Sequence, residues 1–192
     1  MHPSAAIPLH AADDRFLTFQ VLCNLLARHH FHVFQALDPG PMAPYADLFQ
    51  RCLEAHFPAM GAYLGAAGVE PGMYLYGWLQ TVFIKQLPLA SAAWVWDCFL
   101  LEGVPLLFRV ALALLGLLEQ ETLAKGMEGG LAVNVLTHSQ GNGRVEETRV
   151  WDSIGRLEPL RRAVASIQLS HEALAQLEDL TGDSAFYRHV SL

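Results

Sequence analysis

The chain has 192 residues, of which 53% are hydrophobic and 16% are charged, and its formal net charge is −7. This length is enough for one domain with a substantial core, and the composition excludes an intrinsically disordered chain. Because the balance is acidic and no long basic run occurs, we expect no nucleic acid partner.

The first residues do not have the pattern of a secretory signal. Residues 1–12 lack a basic segment followed by a sustained apolar run, and we predict a flexible leader there. Cys23, Cys52 and Cys98 lie within apolar helical patterns. Such a small, odd number indicates buried thiols in a reducing compartment and not a disulfide framework.

The first predicted helix covers residues 14–28. Asp13 and Asp14 favour a helix start, because carboxylates interact well with the positive end of the helix dipole. Apolar residues recur along one side of this segment at Phe16, Phe19, Leu22, Cys23 and Leu26.

Three histidines, His29, His30 and His32, follow this helix. Histidines so close together can ligate a metal, but no acidic or cysteine ligands accompany them at a recognisable spacing. We therefore interpret them as polar residues at a helix end. No metal, cofactor or cofactor-binding residue is predicted.

Two more helices are predicted before the centre of the chain. The turn cluster 38–41 precedes a helix over about 43–57. Pro58 suits the first turn of a shorter helix that reaches about Ala67, and Gly68 can end it.

Residues 74–103 predict a helical hairpin that forms the middle of a core. Leu87-Pro88 makes the corner, because the residue before a proline is pushed out of the α region, and Pro88 suits the first turn of the second helix. Gly103 can end that helix by taking a positive φ. Three tryptophans of the hairpin are assigned to the core: Trp78, Trp94 and Trp96.

The most apolar helix is predicted over 104–122, and residues 104–120 are expected to be the most buried. Its segment 104–118 is shorter than the roughly 20 residues of a membrane span, so we prefer a buried central helix to a membrane anchor. Arg109 in this helix and Asp97 in the hairpin are charges among apolar neighbours, which need partners. We predict that Arg109 contacts Asp97 or Glu102.

Beyond residue 130 the patterns predict a brief helix over 131–136, a loop over 139–143 and an amphipathic helix over 145–168. The amphipathic helix is expected to break near Pro159. Ser170 can cap a last helix that runs to about Leu180. Residues 181–192 are predicted to be a loose tail.

An ordered series of residues resembles the C-terminal part of a TBC domain. The matching residues are Trp78, Phe83, Leu87, Pro88, Trp96, Asp97, Gly103, Phe108 and Arg109. The similarity runs from roughly Asp13 to Leu169. It implies an all-α fold, a compact TBC-like C-terminal lobe of about seven to nine helices over 13–180. We interpret the matching residues as parts of the scaffold and not as contacts to a partner.

TBC domains are GTPase-activating modules for Rab-family small GTPases. They supply an arginine that neutralises charge on the transferred phosphoryl group and a glutamine that orients the attacking water. The family carries these residues in IxxDxxR and YxQ motifs, and neither motif occurs in this chain. P-loop, GxSxG, HExxH and CxxC patterns are also absent from the sequence. No catalytic residue is therefore predicted.

The resemblance leaves three functions open. The first is a partial TBC protein that binds or regulates a Rab GTPase in vesicle trafficking without stimulating GTP hydrolysis. The second is the C-terminal piece of a longer, catalytically active Rab activator. The third is a membrane-associated helical protein anchored through 104–118. For the first two we expect a cytoplasmic location, with peripheral association with endomembranes through the GTPase.

Overall fold

A computed structural model of the chain describes residues 15–26, 33–34, 39–125, 134–136 and 145–182. Nine α-helices and one 3-10 turn have both ends within these residues, residues 33–34 and 134–136 are helical as well, and none of the described residues forms a strand. The helices are α1 (Arg15–Leu26), α2 (Pro39–His56), α3 (Pro58–Ala66), α4 (Leu75–Thr81), α5 (Leu89–Glu102), α6 (Val104–Lys125), α7 (Val145–Ile154), α8 (Leu157–Ser166) and α9 (His171–Thr181). The 3-10 turn is Pro71–Met73. The predicted all-α fold is confirmed.

Helix α6 is the centre of the fold. It packs against α5, α7 and α8 and also meets α2, α3, α4 and α9. Its apolar residues are almost completely buried from Leu106 to Leu115, and Leu118 is buried as well. The segment 104–118 therefore supplies core surface on all sides, as predicted. Among the described residues no helix has the length and apolar character that crossing a membrane requires.

Three helix boundaries agree with the local signals in the sequence. Pro58 is the first residue of α3. Gly68 lies two residues after the last residue of this helix, Ala66, and has φ +70°. Gly103 ends α5 with φ +70°, and its N–H donates to the Phe99 carbonyl at 2.9 Å. Ser170 caps α9, since its hydroxyl accepts a hydrogen bond from the Ala173 N–H at 3.1 Å.

The first helix of the hairpin is shorter than predicted. It ends at Thr81, because Val82 and Phe83 adopt left-handed conformations with φ of 48° and 59°. Such conformations are costly for residues with a branched or bulky side chain. Both side chains are fully buried, and we infer that their burial offsets the strain. Pro88 is the residue before α5 and not part of its first turn, so the corner covers 82–88.

The amphipathic segment breaks earlier than predicted. Helix α7 ends at Ile154 and α8 begins at Leu157, so Pro159 lies inside the first turn of α8. A proline is tolerated there because the first N–H groups of a helix have no partner within the helix. The break lies at Gly155, where an added Cβ would be 2.7 Å from the Trp151 carbonyl oxygen and 2.9 Å from Cδ of Pro88.

Three residues of the apolar stripe of α1 are exposed. Phe16 and Phe19 are more than half exposed, and Cys23 is exposed, so the prediction of a buried thiol at Cys23 is wrong. Cys52 is buried and Cys98 half-buried. The spacing of the stripe therefore predicts the helix but not the exposure of Phe16, Phe19 and Cys23.

Several predictions lie outside the described residues. They are the leader 1–12, His29, His30 and His32, the start of the brief helix at 131–133, the loop 139–143 and residues 183–192 of the tail. Residues 134–136 of the brief helix are helical. The domain boundaries at 13 and 180 remain predictions.

Candidate functional site

The four aromatic residues among the nine that carry the resemblance are buried in the core. Trp78, Phe83, Trp96 and Phe108 are each at most 2% exposed. The Trp78 ring centroid is 5.7 Å from that of Phe83, and the Phe108 ring lies edge-on to another buried ring of α2, Phe49, at 5.5 Å. Buried rings in such geometries stabilise a fold. Because these side chains are buried, they pack within the core and cannot contact a partner.

The Leu87-Pro88 corner holds two parts of the chain together. Leu87 is buried, and both residues approach Gly155 in the turn between α7 and α8. One turn into α5, the Ser91 hydroxyl donates a 2.6 Å hydrogen bond to the Gly155 carbonyl. The corner is therefore a contact point between the hairpin and the C-terminal helices, which gives it a structural role.

One tryptophan assigned to the core lies at its edge, and one core tryptophan was missed. Trp94 is half-buried, and the Arg161 guanidinium lies 5.9 Å from its ring centroid. Trp151 of α7 is 1% exposed and meets Trp78 edge-on at 5.7 Å. Its indole N–H donates to the Val135 carbonyl at 3.1 Å. The i, i+3 spacing to Ile154, also buried, was the signal that could have identified it.

Arg109 pairs with Glu102, as one of the two predicted alternatives requires. The guanidinium donates to the Glu102 carboxylate across the corner between α5 and α6. Asp97 is exposed, so the expectation that it lies near the core and needs a partner is wrong. Consecutive helical residues point about 100° apart, and therefore Asp97 reaches water although Trp96 is buried.

Arg51 and His56 line a small cavity between α2 and α9, with a volume of about 140 Å³. The Arg51 guanidinium donates to the Gln176 side-chain oxygen at 2.6 Å. The His56 ring nitrogens lie 2.8 Å from the Cys52 carbonyl oxygen and 3.0 Å from that of Gln168. These contacts join the C-terminal end of α2 to α9 and to the segment before it.

Burial favours the protonated form of three groups, Cys52, Cys98 and Tyr74. Burial raises the pKa of the Cys52 thiol, of the Cys98 thiol and, most strongly, of the Tyr74 hydroxyl. A raised pKa keeps a thiol protonated, whereas a nucleophile needs the thiolate. Within the described residues no group of three His, Cys, Asp or Glu side chains could hold a metal ion.

A second groove lies between α2, the C-terminal end of α3 and the connector to α4. Its volume is about 450 Å³, and Asp47, Glu70 and Tyr76 are the ionisable residues that line it. No residue of the sequence-predicted set lies in it.

Comparison with known proteins identifies the family. The Rab-GTPase-TBC domain model matches residues 1–123. Over 106 residues, 55% of this chain and 15% of the relative, the chain is 36% identical to bovine TBC1 domain family member 14. It is 37% identical to mouse Carabin over 100 residues, 46% of this chain and 22% of the relative.

The match to Drosophila melanogaster TBC1 domain family member whacked extends further along the chain. It covers 163 residues, 83% of this chain and 42% of the relative, at 28% identity. The chain thus spans less than half the length of each of these relatives. Because the family model covers well over half of its residues, the chain belongs to the Rab-GTPase-TBC domain family.

Proposed function

We propose that this chain binds a Rab-family small GTPase and regulates vesicle trafficking without stimulating GTP hydrolysis by itself. The observation that carries the proposal is a family match without the family's catalytic motifs. The TBC model matches 1–123, yet no isoleucine of the chain is followed by Asp and Arg at the IxxDxxR offsets. No tyrosine is followed by glutamine two residues later.

The electrostatics of phosphoryl transfer support this separation of binding from catalysis. An arginine finger contributes on the order of 10³–10⁵ in rate, because it places a cation where charge develops. A lobe that binds the ground state and the transition state equally well does not lower the barrier. The environments of Arg51 and Arg109 agree with this, since Arg51 donates to Gln176 and Arg109 is paired with Glu102.

Single-turnover GTP hydrolysis with a panel of Rab proteins tests the catalytic half of the proposal. We expect hydrolysis at the intrinsic rate of each Rab, while a TBC protein that contains both motifs serves as the positive control. Stimulation well above the intrinsic rate that disappears in Arg51→Ala would contradict the proposal and identify a substitute finger.

Capture of purified Rab proteins tests the binding half. We expect at least one Rab to be retained in its GTP form and released in its GDP form. If no member of the panel is retained, Rab binding by this chain is wrong. A cytoplasmic location, with membrane association only through the GTPase, is part of the same proposal. Fractionation of cells with and without the captured Rab tests it.

A second candidate function is a part of a longer activator. The alignments cover only 15–42% of the relatives' lengths, which favours this candidate. Adding a polypeptide that carries IxxDxxR and YxQ, in cis or in trans, should then restore stimulated hydrolysis. If the added polypeptide does not stimulate GTP hydrolysis either in cis or in trans, this candidate is excluded.

A further inference from the structure

The side of α5 that points away from the core is apolar. Consecutive residues of an α-helix lie about 100° apart around its axis, so one side of α5 is buried and the opposite side reaches solvent. Leu89, Leu100 and Leu101 are 64%, 38% and 75% exposed. Contiguous apolar surface of this kind is typical of interaction sites. We name this side the α5 face, which consists of Leu89, Ala90, Ala93, Asp97, Leu100 and Leu101.

One charged residue lies on the α5 face, and another lies at its edge. Asp97 is exposed and forms no ion pair with the residues that the structure describes. The Arg161 guanidinium of α8 lies 5.9 Å from the ring centroid of Trp94, at the edge of the face. Its pair with Glu158 is 3.4 Å long and more than half exposed on both sides, so this pair is weak. A guanidinium has several N–H donors and can bind a second carboxylate.

The apolar part of the α5 face is complementary to itself. In an antiparallel pair of α5 helices that overlap over their full length, the first residue of one helix lies opposite the last residue of the other. Leu101 then faces Ala90 of the second copy, so that a large side chain meets a small one. Leu100 packs against Leu89 of the second copy. The two-fold axis of such a pair repeats each contact.

The same arrangement pairs the charges. Asp97 lies opposite Trp94 of the second copy, and the Arg161 guanidinium of that copy lies beside this ring. Because the two-fold axis brings the same edges of the two faces together, the carboxylate and the guanidinium lie on one side of the helix pair. Two such ion pairs form in each dimer. Ion pairs at the rim of an interface fix its register more than they increase its affinity.

We propose that the α5 face binds a second copy of this chain in an antiparallel, two-fold symmetric dimer. Helix α5 has 14 residues and is therefore about 21 Å long. A contact of this length buries less than the roughly 1,600 Å² of a standard interface, so the dimer is weak, with a dissociation constant on the order of 10 μM. The inference does not depend on Rab binding.

Sedimentation equilibrium of the full chain, at concentrations on both sides of this value, tests the proposal. Leu101→Glu should raise the dissociation constant at least about tenfold, because it places a carboxylate against the apolar surface of the second copy. Met73→Glu is the matched control and should leave the dimer unchanged. Met73 is also more than half exposed, but it lies in the 3-10 turn, which packs against α2 and α4.

A charge exchange distinguishes a second copy from any other occupant. Asp97→Arg and Arg161→Asp should each weaken the dimer at least about threefold, because each variant places like charges opposite each other. The double variant should regain most of the affinity, since both ion pairs form again with reversed signs. Glu158→Gln removes the present partner of Arg161 and should not weaken the dimer.

Three results would overturn the proposal. The first is a chain that stays monomeric up to about 1 mM. The second is a dimer that survives Leu101→Glu or does not recover in the double variant, since it would use another surface or another register. The third is a monomer that binds a polypeptide carrying IxxDxxR and YxQ and loses it in Leu101→Glu, which would make the rest of a longer activator the occupant. Circular dichroism verifies the fold of each variant.

Discussion

Removal of one partner of the Arg109–Glu102 pair is expected to destabilise the junction of α5 and α6. Glu102 is the last residue of α5, and Arg109 lies in the second turn of α6. Their side chains are 33% and 24% exposed, so the pair is neither fully buried nor fully hydrated. Exposed pairs contribute under about 1 kcal/mol, and breaking a buried pair costs about 3–5 kcal/mol.

The partial burial places this pair between the two limits. We expect Arg109→Met to lower the free energy of unfolding by about 1–2 kcal/mol, mainly because Glu102 is left partly buried without its partner. For a domain of this size the melting temperature should fall by about 2–8 °C. A denaturant titration measures the free energy of unfolding and a thermal melt measures the melting temperature, both followed by circular dichroism.

A double-mutant cycle separates the pair from other effects of the substitutions. With Glu102→Gln as the second change, we expect a coupling energy of at least about 0.5 kcal/mol. The control is Glu158→Gln, which removes the partner of Arg161 in a pair that is 3.4 Å long and more than half exposed on both sides. It should cost under about 0.5 kcal/mol. A coupling energy of zero at Arg109–Glu102 would refute the reasoning.

The alkylation rate of the Cys98 thiol is a second test of this pair. Substitution of Arg109 and substitution of Glu102 should change this rate in opposite directions. After burial, the Glu102 charge is the next largest cause that raises the pKa of this thiol, and the Arg109 charge lowers it. At pH 9, therefore, Arg109→Met should slow alkylation of Cys98 and Glu102→Gln should accelerate it, because the thiolate is the reactive form. Peptide-level mass spectrometry measures the two rates, and a change of the same sign in both variants would contradict the geometry.

Three further substitutions and one control, Gly77→Ala, test the packing. Gly155→Ala should cost about 1–3 kcal/mol, because its Cβ would press on the Trp151 carbonyl, whereas Gly77→Ala should gain up to about 1 kcal/mol of helix propensity. Tyr74→Phe should raise the free energy of unfolding by about 1 kcal/mol, because the buried hydroxyl has no hydrogen-bond partner among the described residues. Ser170→Ala should cost about 1 kcal/mol by removing the cap of α9.

The pH dependence of Tyr74→Phe has a definite sign. Burial raises the pKa of the Tyr74 hydroxyl, so the folded state keeps its proton at a pH at which the unfolded chain has lost it. The native protein should therefore lose stability as the pH rises above about 10, and Tyr74→Phe should lose less. Urea midpoints between pH 8 and 11 measure this. If the urea midpoints of the two proteins fall equally steeply with pH, the burial of the Tyr74 hydroxyl is wrong. If Gly155→Ala and Ser170→Ala do not lower the free energy of unfolding, the packing at Gly155 and the cap at Ser170 are wrong.

Local chemistry explains which helix boundaries were predictable. Pro58, Gly103 and Ser170 act through their own backbone or hydroxyl, so their effect can be inferred from the sequence around them. The end of α4 at Thr81 was not predictable in this way. The left-handed conformations of Val82 and Phe83 are locally unfavourable, and both residues are completely buried by other elements.

Helical phase explains the errors in the assignment of single side chains. Trp94 and Trp96 are two positions apart, which places them about 200° apart around α5, so both cannot face the same core. The structure buries Trp96 and leaves Trp94 at the edge against Arg161. The apolar character of both residues was recognised, but residue type alone does not give the direction of a side chain.

The residues that identified the family tell little about activity, and their location explains why. Trp78, Phe83 and Phe108 are buried and inaccessible to a partner, so they contribute to the scaffold and not to a binding surface. Acceleration of hydrolysis requires a cation and a water-positioning group at the phosphoryl group, and buried aromatic side chains can be neither. A TBC-like core is therefore compatible both with a silent Rab-binding protein and with one part of an activator. Binding and hydrolysis must be measured on the same preparation to distinguish them.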